Sequence, residues 1–192
     1  MRISGINSKG IVALLLGFLL SAAVQFAPVP ARAQTTNLDT LFDELKKPDL
    51  KDWKKVEKQI WREWKKSGSK AMDLLLQRGQ QALEEGRIDD AIGHFSALID
   101  HAPEFAEGWN ARATAFYVAD IYGLSIADIQ QTLALNPRHF GAMAGLGNIL
   151  ERMEQPRKAL KIFRLALEVH PHRPDVLRAV QRLKKQVEGT SL

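Results

Sequence analysis

The side chains that could do chemistry in this chain are five histidines, His94, His101, His139, His170 and His172, and two adjacent acidic pairs, Glu84-Glu85 and Asp89-Asp90. His170 and His172 flank a proline and could share a metal ion, but no acidic or sulfur ligand is spaced to complete a four-ligand site. No serine, histidine and acid, or cysteine and histidine, stand at a spacing that would support an activated nucleophile. The acidic pairs fall at a helix end and a helix start, where solvated charge and the helix dipole account for them. The expectation is a protein with no reaction centre, no metal and no cofactor.

What must hold these residues is a repeat. Pro103, Pro137 and Pro171 stand 34 residues apart, each closing a similar segment, because the residue before proline is pushed out of the helical region. Gly79, Ala113 and Gly147 are in register, as are Ala91, Ser125 and Ala159, so each unit carries one small residue on each of two helices that must approach closely. Leu75, Trp109 and Met143, with Phe95, Ile129 and Phe163, are expected to fill the space between units. Gly86 ends the first helix of unit one in the manner of a C-cap. Asp120 and Glu154 replace it in the later units, where a left-handed conformation is dearer, so those turns are expected to differ. Pro156 opens the last second helix, at a position where a missing N–H does no harm.

A period of 34 residues with these small, aromatic and proline positions resembles the tetratricopeptide family over residues 72 to about 188. The resemblance implies an all-α fold, a right-handed α-solenoid of three helix-turn-helix units (72–105, 106–139 and 140–173). Such an array needs caps. Residues 174–188 read as a C-terminal capping helix, with an apolar stripe of Val176, Leu177, Val180, Leu183 and Val187, followed by a tail at 189–192. Residues 34–70 read as a linker and an N-terminal helical cap pair: Leu38 to Lys46, a break at Pro48, then Asp49 to Lys66. On the second helix Trp53, Val56, Ile60 and Trp64 share a face, with Trp61 beside them. That face is expected to cover the first repeat; the alternative is an exposed tryptophan patch that docks a partner.

Residues 1–33 read as a secretory signal peptide. Arg2 and Lys9 precede an apolar run from Ile11 to Val24, and Ala31-Arg32-Ala33 offers small residues to a signal peptidase. An uncleaved anchor is the rival reading, but a spanning helix needs about 20 apolar residues. Cleavage leaves no segment for membrane insertion and implies a periplasmic location. It also takes three basic residues with it, so 27 basic residues fall to 24 against 22 acidic, and the net charge of +5 falls to about +2. No basic face for nucleic acid is left. With no cysteine, the chain suits an oxidising compartment.

The family resemblance also implies a site. Its first helices line a concave face, which here places Asp73, Leu76, Gln80 and Leu83, then Glu107, Asn110, Thr114 and Tyr117, then Asn148 and Glu151 in a groove, with Arg178 and Arg182 closing its far end. Asn110 and Asn148 can both donate and accept, as a peptide backbone requires. One variant of the family grips a C-terminal carboxylate with lysine, asparagine and arginine; the matching positions here hold Leu76, Gln80, Ala111, Gly141 and Gly145, so that clamp is absent. The implied function is a non-catalytic cell-envelope adaptor that binds a protein or peptide segment. The alternative is a structural subunit of an envelope complex, docked by its tryptophan-rich helix or its convex face. Oligomeric state is not readable from the sequence.

Overall fold

The structure, a computed structural model, describes residues 32–189; the leader assigned to residues 1–33 and the tail at 189–192 lie almost wholly outside them. The described residues form helices and no strands. These are α1 (Arg32–Leu45), α2 (Trp53–Trp64), α3 (Lys70–Glu84), α4 (Ile88–His101), α5 (Ala106–Val118), α6 (Tyr122–Leu135), α7 (Phe140–Arg152), α8 (Pro156–Val169) and α9 (Pro174–Gly189). The second helices, α4, α6 and α8, start and end 34 residues apart, and so do the starts of α5, α7 and α9. None of these helices is long and apolar enough to cross a membrane.

Each unit closes around one tight contact. A Cβ on Gly79 would stand 2.3 Å from the Phe95 ring, and one on Gly147 would stand 2.5 Å from the Phe163 ring. Both aromatics therefore fill space inside their own unit, where the sequence had suggested the space between units. In unit two the bulk is redistributed: Ala113 replaces the glycine, Ile129 replaces the phenylalanine, and Ser125 Oγ donates to the Ala113 carbonyl at 2.7 Å. Arg112 ties three helices together, donating to both oxygens of Asp128 at 2.7 and 2.9 Å and to Ser96 at 3.1 Å. Successive apolar clusters then run from α3–α4–α5 through α5–α6–α7 to α7–α8–α9.

The three turns within units are alike. Gly86, Asp120 and Glu154 all adopt positive φ, at 75°, 59° and 56°. In each the next residue's N–H reaches five residues back, Arg87 to Ala82, Ile121 to Phe116 and Gln155 to Leu150, at 2.8 to 2.9 Å. This is the Schellman arrangement. The expected divergence of the later turns does not occur, because the same paired hydrogen bonds hold a non-glycine residue in the left-handed region.

The N-terminal pair departs from expectation in place and in extent. α1 begins earlier than Leu38, and α2 starts only at Trp53, after a turn in which the Leu50 N–H donates to the Lys47 carbonyl. Its apolar face does not cover the first repeat. Leu41, Phe42, Leu45, Val56, Ile60 and Trp64 cluster with Phe140, at the start of α7, and with Val169, at the end of α8. Leu74, on the first repeat, stays 44% exposed.

Candidate peptide-binding groove

Two adjoining cavities lie along the first-helix face, and Asn110 and Thr114 line both. One, of about 220 Å³, lies between α5 and α7 and is lined by Asn110, Thr114, Tyr117, Gly141, Gly145 and Asn148, among others. The other, of about 380 Å³, is walled by Gln80, Leu83 and Glu84 of α3, by Glu107, Asn110, Ala111 and Thr114 of α5, and by Trp61 and Lys65 from the N-terminal arm. Their sizes overlap the range of small-ligand and side-chain pockets, roughly 300 to 1,000 Å³, only for the second.

Of the residues expected in the groove, Gln80, Leu83, Glu107, Asn110, Thr114, Tyr117 and Asn148 line these cavities. The other five do not. Leu76 is 3% exposed and belongs to the α3–α4–α5 core; an apolar side chain at that position turns to the neighbouring helices and away from water. Asp73 is used locally, where its Oδ1 accepts from the Ser67 N–H at 2.8 Å and the Ser67 hydroxyl at 2.6 Å and so fixes the turn into α3. Glu151 and Arg182 satisfy each other across α7 and α9 at 2.6 and 2.8 Å. Arg178 is exposed beyond the cavities. Tyr117 lines the groove with its hydroxyl accepting from Arg152 Nε at 3.0 Å.

The residues that the sequence reading missed are those holding the arm against this face. His139 is fully buried, and its Nδ1 accepts the Ala142 backbone N–H at 3.0 Å, capping α7. Nε2 must then carry the ring proton, which it donates to Glu107 at 3.1 Å. Trp64 stacks on the same imidazole at 4.3 Å and 16°. Trp61 meets Trp64, His139 and Phe140 edge to face at 5.2, 5.4 and 5.5 Å, and its ring tip occupies the space where Gly141 has no Cβ.

A second anchor lies one loop further on. Trp53 packs against His170 and stacks on His172, and the His172 Nε2–H donates to the Lys47 carbonyl at 3.0 Å. His170 Nε2 is buried 3.6 Å from Glu57 Oε1, an ion-pair distance and too long for a hydrogen bond. That imidazole, reinforced by the Arg173 charge and the Trp61 indole, holds the Glu57 carboxyl below the usual range against the opposing effect of burial. Arg138 pairs with Asp39 at 2.7 Å and lies over the Phe42 ring. His170 and His172 are thus both engaged with the arm. Among the described residues no three potential metal ligands come together.

Comparison with known proteins bears on the family and the fold. A family model described as a tetratricopeptide repeat matches residues 76–131. A TPR repeat-containing protein of Rhizobium etli is 32% identical, over 92% of each chain. Among solved structures, the first TPR domain of Spaghetti bound to an HSP90 peptide superposes with a TM-score of 0.59 at 19% identity, over 61% of this chain and 93% of that one. The Sgt2 TPR domain from Aspergillus fumigatus gives 0.60 at 18% identity, over 64% and 83%. At such identities the two solved structures speak for the fold alone.

Proposed function

The chain belongs to the tetratricopeptide-repeat family, and from that premise we propose that it is a non-catalytic adaptor of the cell envelope that binds an extended protein segment along its first-helix groove. The observation that carries this reading is the pair of adjoining cavities sharing Asn110 and Thr114, with Asn148 and Tyr117 beyond them. Side-chain amides along a groove suit a peptide backbone, which needs a donor and an acceptor at each residue. The HSP90 peptide held by the similar Spaghetti domain is in keeping with such a use of the face. The positions of the carboxylate-gripping clamp hold Leu76, Gln80, Ala111, Gly141 and Gly145, so the segment taken here is of another kind. Export to the periplasm is part of the proposal and rests on residues 1–33 of the sequence.

The tryptophan-docked structural subunit loses its main support, since Trp53, Trp61 and Trp64 are engaged with His170, His172, His139 and Phe140. The test is cross-linking in cells with identification of captured partners, comparing the natural chain with an Asn110→Ala, Tyr117→Ala, Asn148→Ala triple variant. Loss of a specific partner from the folded variant supports the groove; unchanged capture overturns it. A reporter fusion to residues 1–40, assayed for export, tests location.

A further inference from the structure

The cavity between α3, α5 and the arm holds a buried negative charge that no cation of its floor offsets. Glu107 is 4% exposed, and its Oε2 accepts from His139 Nε2 at 3.1 Å and from Asn110 Nδ2 at 3.3 Å. Because His139 Nδ1 is committed to the Ala142 N–H, the imidazole is neutral, and both partners of the carboxylate are neutral donors. A carboxylate held this way projects its charge through a medium of low dielectric far more strongly than a solvated one. Acceptors are among the hydrogen-bonding groups left over. Asn110 gives one amide N–H to Glu107, which leaves its carbonyl, along with its second N–H, for a ligand. Thr114 donates its hydroxyl proton to the Asn110 backbone carbonyl at 3.0 Å, which leaves oxygen lone pairs.

One wall is an indole. The Trp61 ring is locked by three neighbouring rings and by its fit against Gly141, yet it remains part of the cavity lining. Glu84 adds a second carboxylate at the exposed rim, and Lys65, also exposed, is the single cation among the lining residues. An indole together with acceptors and net negative charge is a setting for a cation, since guanidinium and ammonium groups are drawn to the face of tryptophan within about 6 Å of the ring.

We propose that this cavity receives an arginine or lysine side chain of the partner segment, laid on Trp61 and directed toward Asn110, Thr114 and the charge of Glu107. The inference rests on the groove reading and deepens it: the N-terminal arm becomes one wall of the binding site and a determinant of its selectivity.

The probes are three glycine-serine dodecapeptides carrying a central Arg-Arg, Leu-Leu or Asp-Asp pair, titrated into the purified chain and followed by calorimetry and by the indole N–H resonances. The Arg-Arg peptide should bind at least tenfold more tightly than either of the others and shift the Trp61 resonance. Glu107→Gln, which removes the charge and keeps the size, should weaken it at least fivefold, and Lys65→Met should tighten it at least twofold. Should Glu107→Gln fail to fold by circular dichroism, Lys65→Met, at an exposed position, carries the decision. Preference for Asp-Asp with loss on Lys65→Met makes this an anion site and overturns the proposal. Preference for Leu-Leu, or no binding by any peptide, overturns it as well. If the groove triple variant loses its cellular partner while the arginine preference is absent, this inference alone falls. If the triple variant keeps its partner, the groove reading falls.

Discussion

Gly141→Ala should undo the seat of the arm, and its sign should reverse when Trp61 is shortened. The new Cβ would lie 2.6 Å from Trp61 Cη2 and 2.9 Å from Cζ2, with His139 Cε1 at an ordinary 3.4 Å. Carbon atoms in contact prefer about 3.5 to 4.0 Å, so the ring must withdraw by about 1 Å. Withdrawal must give up its contacts with Trp64, His139 and Phe140. Overpacking of this kind costs about 1 to 3 kcal/mol. Replacing a helical glycine by alanine returns about 0.5 to 1 kcal/mol, which leaves a net loss of about 0 to 2.5 kcal/mol from these two ranges. In a Trp61→Leu background the clash is gone, and the same substitution should stabilise by about 0.5 to 1 kcal/mol. Urea unfolding of the four proteins measures the coupling, and limited proteolysis at residues 65–69 reports arm release. Gly145→Ala serves as the control in the same helix, since its Cβ would meet only Ile129 Cδ1 at 3.7 Å. Equal destabilisation by Gly141→Ala in both backgrounds would refute the assignment of Trp61 to this seat.

Three further outcomes follow from the same geometry. Gly147→Ala, with its Cβ 2.5 to 2.7 Å from the Phe163 ring, should cost about 1 to 3 kcal/mol in thermal unfolding; adding Phe163→Ile, which recreates the Ala113 and Ile129 pairing of unit two, should recover at least half. Glu154→Gly relieves a residue at φ 56° and should add about 1 kcal/mol, seen by calorimetry as a rise in Tm of roughly 2 to 4 °C. Glu57 is held below its ordinary pKa in the folded chain, so its contribution to arm docking is present above the unfolded value of about 4.3 and is lost as pH falls through the lower folded value. Tryptophan fluorescence across an acid titration should show that loss, reduced in Glu57→Gln; an unchanged acid limb would count against the His170 contact.

The repeats were legible because their determinants are local. A small residue on one helix and a bulky one on the next recur every 34 residues, as Gly79 with Phe95 and Gly147 with Phe163, and proline closes each unit. The turns at Asp120 and Glu154 were misjudged because side-chain preference is a weaker term than the paired backbone hydrogen bonds that define them. The arm was legible as a helix with an apolar face, but helical spacing names a face and not its partner. Trp64 meets His139 across 75 positions, and only the folded array shows which loop surface is free to receive it. The one local signal was Gly141, the residue in unit three that answers to Asp73 and Glu107 and has no side chain, next to the aromatic Phe140. The groove list placed Gln80, Leu83, Glu107, Asn110, Thr114, Tyr117 and Asn148 where cavities lie along the first helices. It departs at Leu76, buried against α4 and α5, at Asp73, drawn into the turn from the arm, and at Glu151 and Arg182, which pair with each other.

The central claim is that a partner segment occupies the first-helix groove, and the most direct measurement is cross-linking from that groove itself. A photoreactive amino acid placed at Asn148, and separately at exposed Leu177 of α9 as a reference, would be activated in living cells and the adducts sequenced. The account predicts one recurrent adduct at position 148 that is missing at 177 and disappears in the Asn110→Ala, Tyr117→Ala background. The same adduct at both positions, or its persistence in that background, would contradict it.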